Sequence, residues 1–382
     1  MTVTVDWVPM ARALTTDLRA KGAIRSDAVA AAIEAVPRHA FLTGHYATGQ
    51  HTRVNPDQPD AELLALAYAD RGIMTHIPAD DAGGFSSASQ PSIVAKMLEA
   101  AELRPGMRVL EIGAGTGWNA ALIAHITKAD VHTVEVSSLV TIEASAALAR
   151  ADASNVTVHA GDGYVGHPDG GPYDLIVVTC GIAGIAPEWL DQLAPDGAVL
   201  APVAHGGLHP LLRVTRTADG PVRGELVVNA DFMNASGPLY AGATTSPATR
   251  SRAFPVPDPA DARPRAVLEG LDPRGDYVDL WMHLAAHDTR TTCAGAEGTT
   301  DYTGCALVDA DADAAVFVQP GGLHLTPGRA SQALADQVER YVTEWIRTGR
   351  PELTAWTCSL TQAGNADIPL LAPADWQLYQ DN

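Results

Sequence analysis

The chain has 382 residues, and 25 Lys+Arg against 45 Asp+Glu give it a formal net charge of −20. A surface of that sign repels polyanions, which argues against DNA, RNA or an anionic membrane as a partner. With 46% hydrophobic and 18% charged residues the composition is that of a globular protein, long enough for two separate cores.

The amino-terminal Met1-Thr2-Val3-Thr4-Val5-Asp6-Trp7 has no basic start ahead of an apolar run, so no signal peptide is expected. Residues 7–36 then read as helical, with Met10, Leu14 and Leu18 at helical spacing, a break at Gly22, and Val29, Ile33 and Val36 beyond it. Residues 43–85, rich in Gly, Pro, Asp and His, read as an irregular lid with one short helix near residues 61–69. Next comes Val109-Leu110-Glu111-Ile112-Gly113-Ala114-Gly115-Thr116-Gly117, an apolar strand running into a glycine-rich turn and a helix. Glycines there permit the tight turn and let main-chain N–H groups approach a ligand.

Twenty residues on, His132-Thr133-Val134-Glu135-Val136 ends a second strand in an acidic side chain, placed to accept two ribose hydroxyls. A ribose-bearing cofactor is the implication. The strand-loop Ala160-Gly161-Asp162-Gly163 sets a carboxylate where an adenine amino group would lie. Tyr173-Asp174-Leu175-Ile176-Val177-Val178-Thr179 is a buried fourth strand, too continuously apolar for a solvent face. A helix at residues 187–193 and a fifth strand at residues 197–203 follow, then a hairpin over residues 205–235 with an Asp219-Gly220 turn.

A Pro-rich seam from Phe254 to Pro264 opens the remaining stretch. There a helix is expected near residues 278–286, a hairpin of residues 302–308 with 315–319, a long amphipathic helix at 330–348, a strand at 353–360, and a tail. The longest apolar stretch, near residues 175–186, is broken by Gly181 and Gly184, so no membrane span is expected and a cytoplasmic location is. Cys180, Cys293, Cys305 and Cys358 are dispersed and read as free thiols. His283 and His287 share a helix face without a third ligand set by spacing, and Asp309, Asp311 and Asp313 lack the glycine and glutamate of a calcium loop. A surface pair and a solvated turn are the respective readings, and no metal is expected.

The order of these signals resembles class I S-adenosylmethionine-dependent methyltransferases, a doubly wound α/β sheet; the rival NAD-binding fold lacks its third glycine here. Upstream, Ser87-Ala88-Ser89-Gln90-Pro91 is similar to the Thr-Ile-Ser-Gln-Pro segment of protein-L-isoaspartate O-methyltransferases. Further matches fall in that family's order: Val36-Pro37-Arg38-His39, Ala67-Tyr68-Ala69-Asp70, Gly161-Asp162-Gly163 and Leu190-Asp191-Gln192-Leu193. The resemblance spans residues 5 to about 235. It implies that Ser89, Glu111, Gly113, Ala114, Gly115, Gly117, Glu135, Val136, Asp162, Gly163 and Thr179 hold S-adenosylmethionine. Ser89 is also the expected catalytic residue, beside the transferred methyl, with a helix-capping role as its alternative; Ser87, Ala88 and Gln90 are expected to face the acceptor, and His205 either to face it or to cap a loop.

Ser87 and Ala88 replace a threonine and an isoleucine, suggesting a slimmer acceptor wall, and Trp118-Asn119 stands for a tyrosine-glutamine pair. The family's repair enzymes are also much shorter. The domains expected are therefore a helical and lid region at 1–85, a methyltransferase core with hairpin at 86–238, and an α+β extension at 239–382 for peptide recognition. Extended members of the family act in the maturation of ribosomal peptides of the graspetide and lanthipeptide types. That resemblance implies a modified precursor peptide as partner, esterified on an aspartate that then closes to an aspartimide. Isoaspartyl repair is the alternative, and a cofactor-binding module without turnover is a third reading, opposed by the intact Ser89.

Overall fold

The structure is a computed structural model that describes residues 6–78, 85–216, 221–230, 232–241, 253–257, 262–272, 275–296, 303–363 and 367–379. It divides into two compact units. Unit 1 comprises residues 1–180, 186–201 and 232–239, and unit 2 comprises residues 181–185, 202–231 and 240–382.

Unit 1 begins with α1 (Val8–Ala20) and α2 (Asp27–Ala35), separated at Gly22 with φ +68°. Ser26 caps α2 by accepting from the Val29 N–H. The hairpin of β1 (Gly44–Ala47) and β2 (Gln50–Arg53), α3 (Ala61–Ala67), and the antiparallel pair β3 (Ile73–His76) and β4 (Ser86–Ala88) follow. The lid expected to be irregular thus holds two small sheets, whose strands of at most four residues are too short to show a period.

After α4 (Pro91–Ala101), strands alternate with helices: β5 (Val109–Ile112), α5 (Trp118–Thr127), β6 (Val131–Glu135), α6 (Ser138–Arg150), β7 (Val156–Ala160), β8 (Tyr173–Val178), α7 (Pro187–Asp191) and β9 (Leu193–Pro202). The five strands are parallel, in the order β9-β8-β5-β6-β7. Every residue of β5 is buried, as expected of a strand covered on both faces. The chain order reverses between β5 and β8, and it is outside the carboxyl ends of such strands that an open α/β sheet binds its ligand.

Unit 2 contains β10 (Pro210–Arg216) and β11 (Val222–Asn229); the Asp219-Gly220 turn expected between them lies outside the described residues. This hairpin was expected to close the methyltransferase core. It groups with unit 2 because a strand from the chain's far end pairs with it, matching Arg223, Gly224 and Glu225 to Ser359, Cys358 and Thr357.

Beyond α8 (Pro238–Ala241) come β12 (Ala253–Phe254), β13 (Arg263–Pro264), α9 (Asp276–His287), β14 (Thr291–Ala296), β15 (Thr303–Asp309), β16 (Ala314–Gln319), β17 (Gly322–Leu325), α10 (Arg329–Arg347), β18 (Trp356–Ala363) and β19 (Leu370–Leu378). Six of these strands form a sheet in the order β12-β14-β15-β16-β17-β13, with Phe254, Ala306, Ala315 and Phe317 in its core. The helices α9 and α10, the β15–β16 hairpin and most of β18 agree with expectation. The expected tail is β19, an outermost strand that tolerates Pro373 because a ladder position at an edge needs no donor. Among the described residues no helix is long and apolar enough to cross a membrane.

Candidate active site

The turn after β5 depends on its glycines. Gly113, Gly115 and Gly117 have φ of +95°, +51° and +88°, a region that L side chains rarely adopt. A Cβ on Gly113 would stand 2.7 Å from Thr179 Oγ1, and one on Gly115 3.6 Å from Ser87 O. The first distance ties the turn to the end of β8, and the second brings the acceptor segment beside it. Ala114 is buried, and its N–H and that of Gly113 both donate to Val134 O.

Glu135 closes β6 at the edge of this turn. Its Oε2 accepts from Gly115 N–H (3.1 Å) and its Oε1 from Ser137 N–H (3.0 Å), which fixes the carboxylate while leaving it lone pairs for a ligand. The adjoining Val136 is 57% exposed, an apolar side chain at the same strand end. The next loop is held close: Gly161 N–H donates to Glu135 O, Asp162 accepts from Tyr164 N–H, and Trp189 Nε1–H donates to Gly163 O (2.9 Å). A Cβ on Gly163 would come 2.6 Å from Ile112 Cγ2, so the loop's approach to β5 requires glycine. The Thr179 hydroxyl lies 2.6 Å from Gly113 O and 3.1 Å from Ile112 O, so it acts on the turn's carbonyls.

Glu111 departs from its expected contact with the cofactor. It is fully buried, its Oε2 accepting from Thr133 Oγ1–H (2.6 Å) and its Oε1 from Asn119 Nδ2–H (2.8 Å). Burial pushes its pKa up to about 7, against the opposing pull of those two donors. With no surface toward a ligand, it ties β5 to β6 and to the start of α5. Sequence reasoning placed it by motif position, which carries no information on which face of a buried strand its side chain takes.

The acceptor segment alternates along β4. Ser86 and Ala88 are buried, Ser87 is half-buried, and Ala88 pairs with Ile73. Ala88 was expected to line the acceptor; its side chain is instead buried, 2% exposed. Ser89 and Gln90 follow, both half-buried, ahead of α4. The capping role that was the alternative for Ser89 is filled by another residue: Asp70 Oδ1 accepts from Ser92 N–H (2.9 Å), and Gln90, at the N-cap position, makes no side-chain cap bond. Burial alone would raise the Asp70 pKa, yet the Ser92 donors and the Lys21 ammonium, 3.0 Å away, hold it below its ordinary value.

Arg38 is the residue whose role sequence reasoning missed. Its guanidinium is 1% exposed and donates to the carbonyls of Ala67, Ala69, Arg71, Ala88 and Ser89, at 2.9 Å in the last case. It also lies 5.1 Å from the Trp118 ring centre. The only signal was its presence in the Pro37-Arg38-His39 match.

His205, expected to face the substrate, is turned into unit 2. Its Nε2–H donates to Ala285 O (3.1 Å), its ring lies 4.8 Å from that of Trp376, and burial lowers its pKa to about 4. These contacts match the loop-capping alternative. His283, read as a surface histidine, is 1% exposed. The Asp309 loop is a turn, as expected, with Asp309 accepting from Ala312 N–H.

Three glycines at positive φ that form a tight turn, a fixed carboxylate at the end of β6 and an exposed apolar neighbour fit an adenosyl cofactor. Fold and site together define a class I S-adenosylmethionine-dependent methyltransferase. Residues 10–238 match the family described as protein-L-isoaspartate(D-aspartate) O-methyltransferase. The protein-L-isoaspartate O-methyltransferase of Pyrococcus horikoshii is 38% identical over 209 residues, 54% of this chain and 83% of that protein. The enzyme of the same name from Hyperthermus butylicus is 35% identical over 239 residues, 60% of this chain and 89% of its own. A solved structure titled protein-L-isoaspartate O-methyltransferase aligns over 95% of this chain and 99% of its own, with TM-score 0.53 at 23% identity, and so shares the fold. The chain belongs to the protein-L-isoaspartate O-methyltransferase family and is a carboxyl O-methyltransferase with S-adenosylmethionine as cofactor.

Proposed function

We propose that the enzyme esterifies the free carboxylate of isoaspartyl residues in peptides or proteins, the opening step of isoaspartyl repair. The observation that carries this reading is the family match over residues 10–238, together with an acceptor segment, Ser87 to Gln90, set beside the glycine turn. An acceptor carboxylate, with an ordinary pKa of about 3.9, is ionised at neutral pH and needs no general base. Bound S-adenosylmethionine supplies an electrophilic sulfonium methyl. The chain's contribution is position and exclusion of water. Glu135, Val136 and Asp162 hold the adenosyl end, and Ser89 orients the acceptor carboxylate, its backbone fixed by Arg38. The following backbone nitrogen of the product ester displaces methanol to give a succinimide, whose hydrolysis returns aspartate.

The rival reading, aspartimide formation on a cyclised ribosomal peptide, draws on the chain's length and on a slimmer acceptor wall. The first support weakens because a solved structure titled as an isoaspartate methyltransferase has a counterpart fold over nearly the whole chain. The second weakens because the Ala88 side chain is in the core. That unit 2 recognises the peptide belongs to our proposal.

The test is methyl transfer to a peptide containing one isoaspartyl residue, beside its aspartyl twin and a crosslinked aspartyl peptide. Transfer to the isoaspartyl peptide alone is expected, and transfer only to the crosslinked one would overturn the reading. Ser89→Ala is expected to lower kcat far more than it weakens cofactor binding, because orientation acts on the transition state.

A further inference from the structure

Three histidines, none of them assigned a role above, converge on unit 1's parallel sheet. His132 is the second residue of β6, His159 the fourth of β7, and His167 lies in the loop that follows. Their ligand nitrogens all lie within 4.8 Å of one another, the one such group of potential metal ligands among the described residues. His132 Nδ1 and His159 Nε2 are 3.0 Å apart, and the His159 and His167 rings stack at 3.8 Å.

The loop is held so that this approach persists. Tyr173 Oη–H donates to His167 O (2.7 Å), and His167 N–H donates to Gln192 Oε1 (2.9 Å). Gly170 leaves the room: a Cβ there would lie 2.8 Å from both His132 Cδ2 and His167 Cδ2.

We propose that His132, His159 and His167 form a binding site for a divalent first-row transition metal, zinc foremost. A tetrahedral zinc with bonds of about 2.0–2.1 Å sets its ligand nitrogens about 3.3 Å apart. The closest pair is within a few tenths of an ångström of that spacing, and the two edges to His167, neither longer than 4.8 Å, close by movement of its ring. Three imidazoles without a carboxylate suit zinc, copper or nickel rather than magnesium or calcium. All three side chains are half-buried, which leaves the fourth position to water or an incoming group. The bound ion acts as a cross-link with one position left open. It joins β6, β7 and the far end of the segment whose near end carries Asp162.

The experiment is calorimetric titration of the metal-stripped, full-length enzyme with Zn²⁺, alongside the visible spectrum with Co²⁺. One Zn²⁺ per chain with micromolar or tighter affinity is expected, and an intense four-coordinate Co²⁺ spectrum that Zn²⁺ abolishes. His159→Gln and His167→Gln should each weaken Zn²⁺ by at least a hundredfold with circular dichroism and cofactor affinity unchanged, and His287→Gln should leave it alone. Unaltered affinity in His159→Gln, loss of binding in His287→Gln, or millimolar binding only, would each overturn the site. Should a variant fail to fold, X-ray absorption of the wild-type Zn²⁺ complex decides: three imidazole nitrogens uphold the proposal and fewer overturn it.

Discussion

Replacing Glu111 with glutamine should stabilise unit 1 at alkaline pH. The side chain is fully buried, and burial raises its pKa from 4.5 to about 7. A carboxyl that holds its proton more tightly when folded contributes stability that is complete below pH 4.5 and is lost as pH rises to about 7. Each tenfold gain in proton affinity is worth about 1.4 kcal/mol, so the loss reaches about 3 kcal/mol at pH 8. Glutamine carries no charge to desolvate and keeps both partners: its carbonyl accepts from Asn119 Nδ2–H, and its amide donates to the Thr133 hydroxyl, which can reverse its role. Glu111→Gln should therefore equal the wild type near pH 4.5 and exceed it by about 3 kcal/mol at pH 8, a rise of about 6–12 °C in Tm for a domain of this size. Scanning calorimetry from pH 4.5 to 8.5 measures the difference. A gap that is constant with pH, or a variant less stable at pH 8, would refute the reasoning, and a large loss of cofactor affinity would refute the placement of Glu111 beneath the turn.

Glu135→Ala should weaken S-adenosylmethionine by about 1.5–3 kcal/mol, the scale of losing charged hydrogen bonds, as read by calorimetric titration; unchanged affinity would remove that strand end from the site. Gly113→Ala places a Cβ 2.7 Å from Thr179 Oγ1 at φ +95°, and should cost about 1–3 kcal/mol of stability in denaturant unfolding together with cofactor affinity. Wild-type stability there would show that the turn relaxes freely.

What the chain determines by itself is local. The apolar run of β5, the glycines that need positive φ, the acidic end of β6 and the amphipathic period of α10 are written in consecutive residues, because strand burial, left-handed turns and helix faces each depend on neighbours along the sequence. That is why the parallel sheet, the positions of Gly113, Gly115 and Glu135, and most of α9 to β18 were legible in the residues alone.

Tertiary structure decided what depends on register and on distant partners. Whether Glu111 meets a ligand or the core, whether Ala88 faces outward, and which residue caps α4 turn on the face a strand presents and on a carboxylate twenty-two residues upstream of Ser92. Arg38 acquires its role only when five carbonyls from two separate segments surround its two terminal nitrogens, since a buried guanidinium persists only where most of its donors are met. The hairpin of β10 and β11 looked continuous with the first core, but its partner strand lies at the far end of the sequence. The convergence of His132, His159 and His167 has the same origin: β6 and β7 bring together residues 27 apart, a pairing that parallel-strand register sets and no periodicity along the chain encodes.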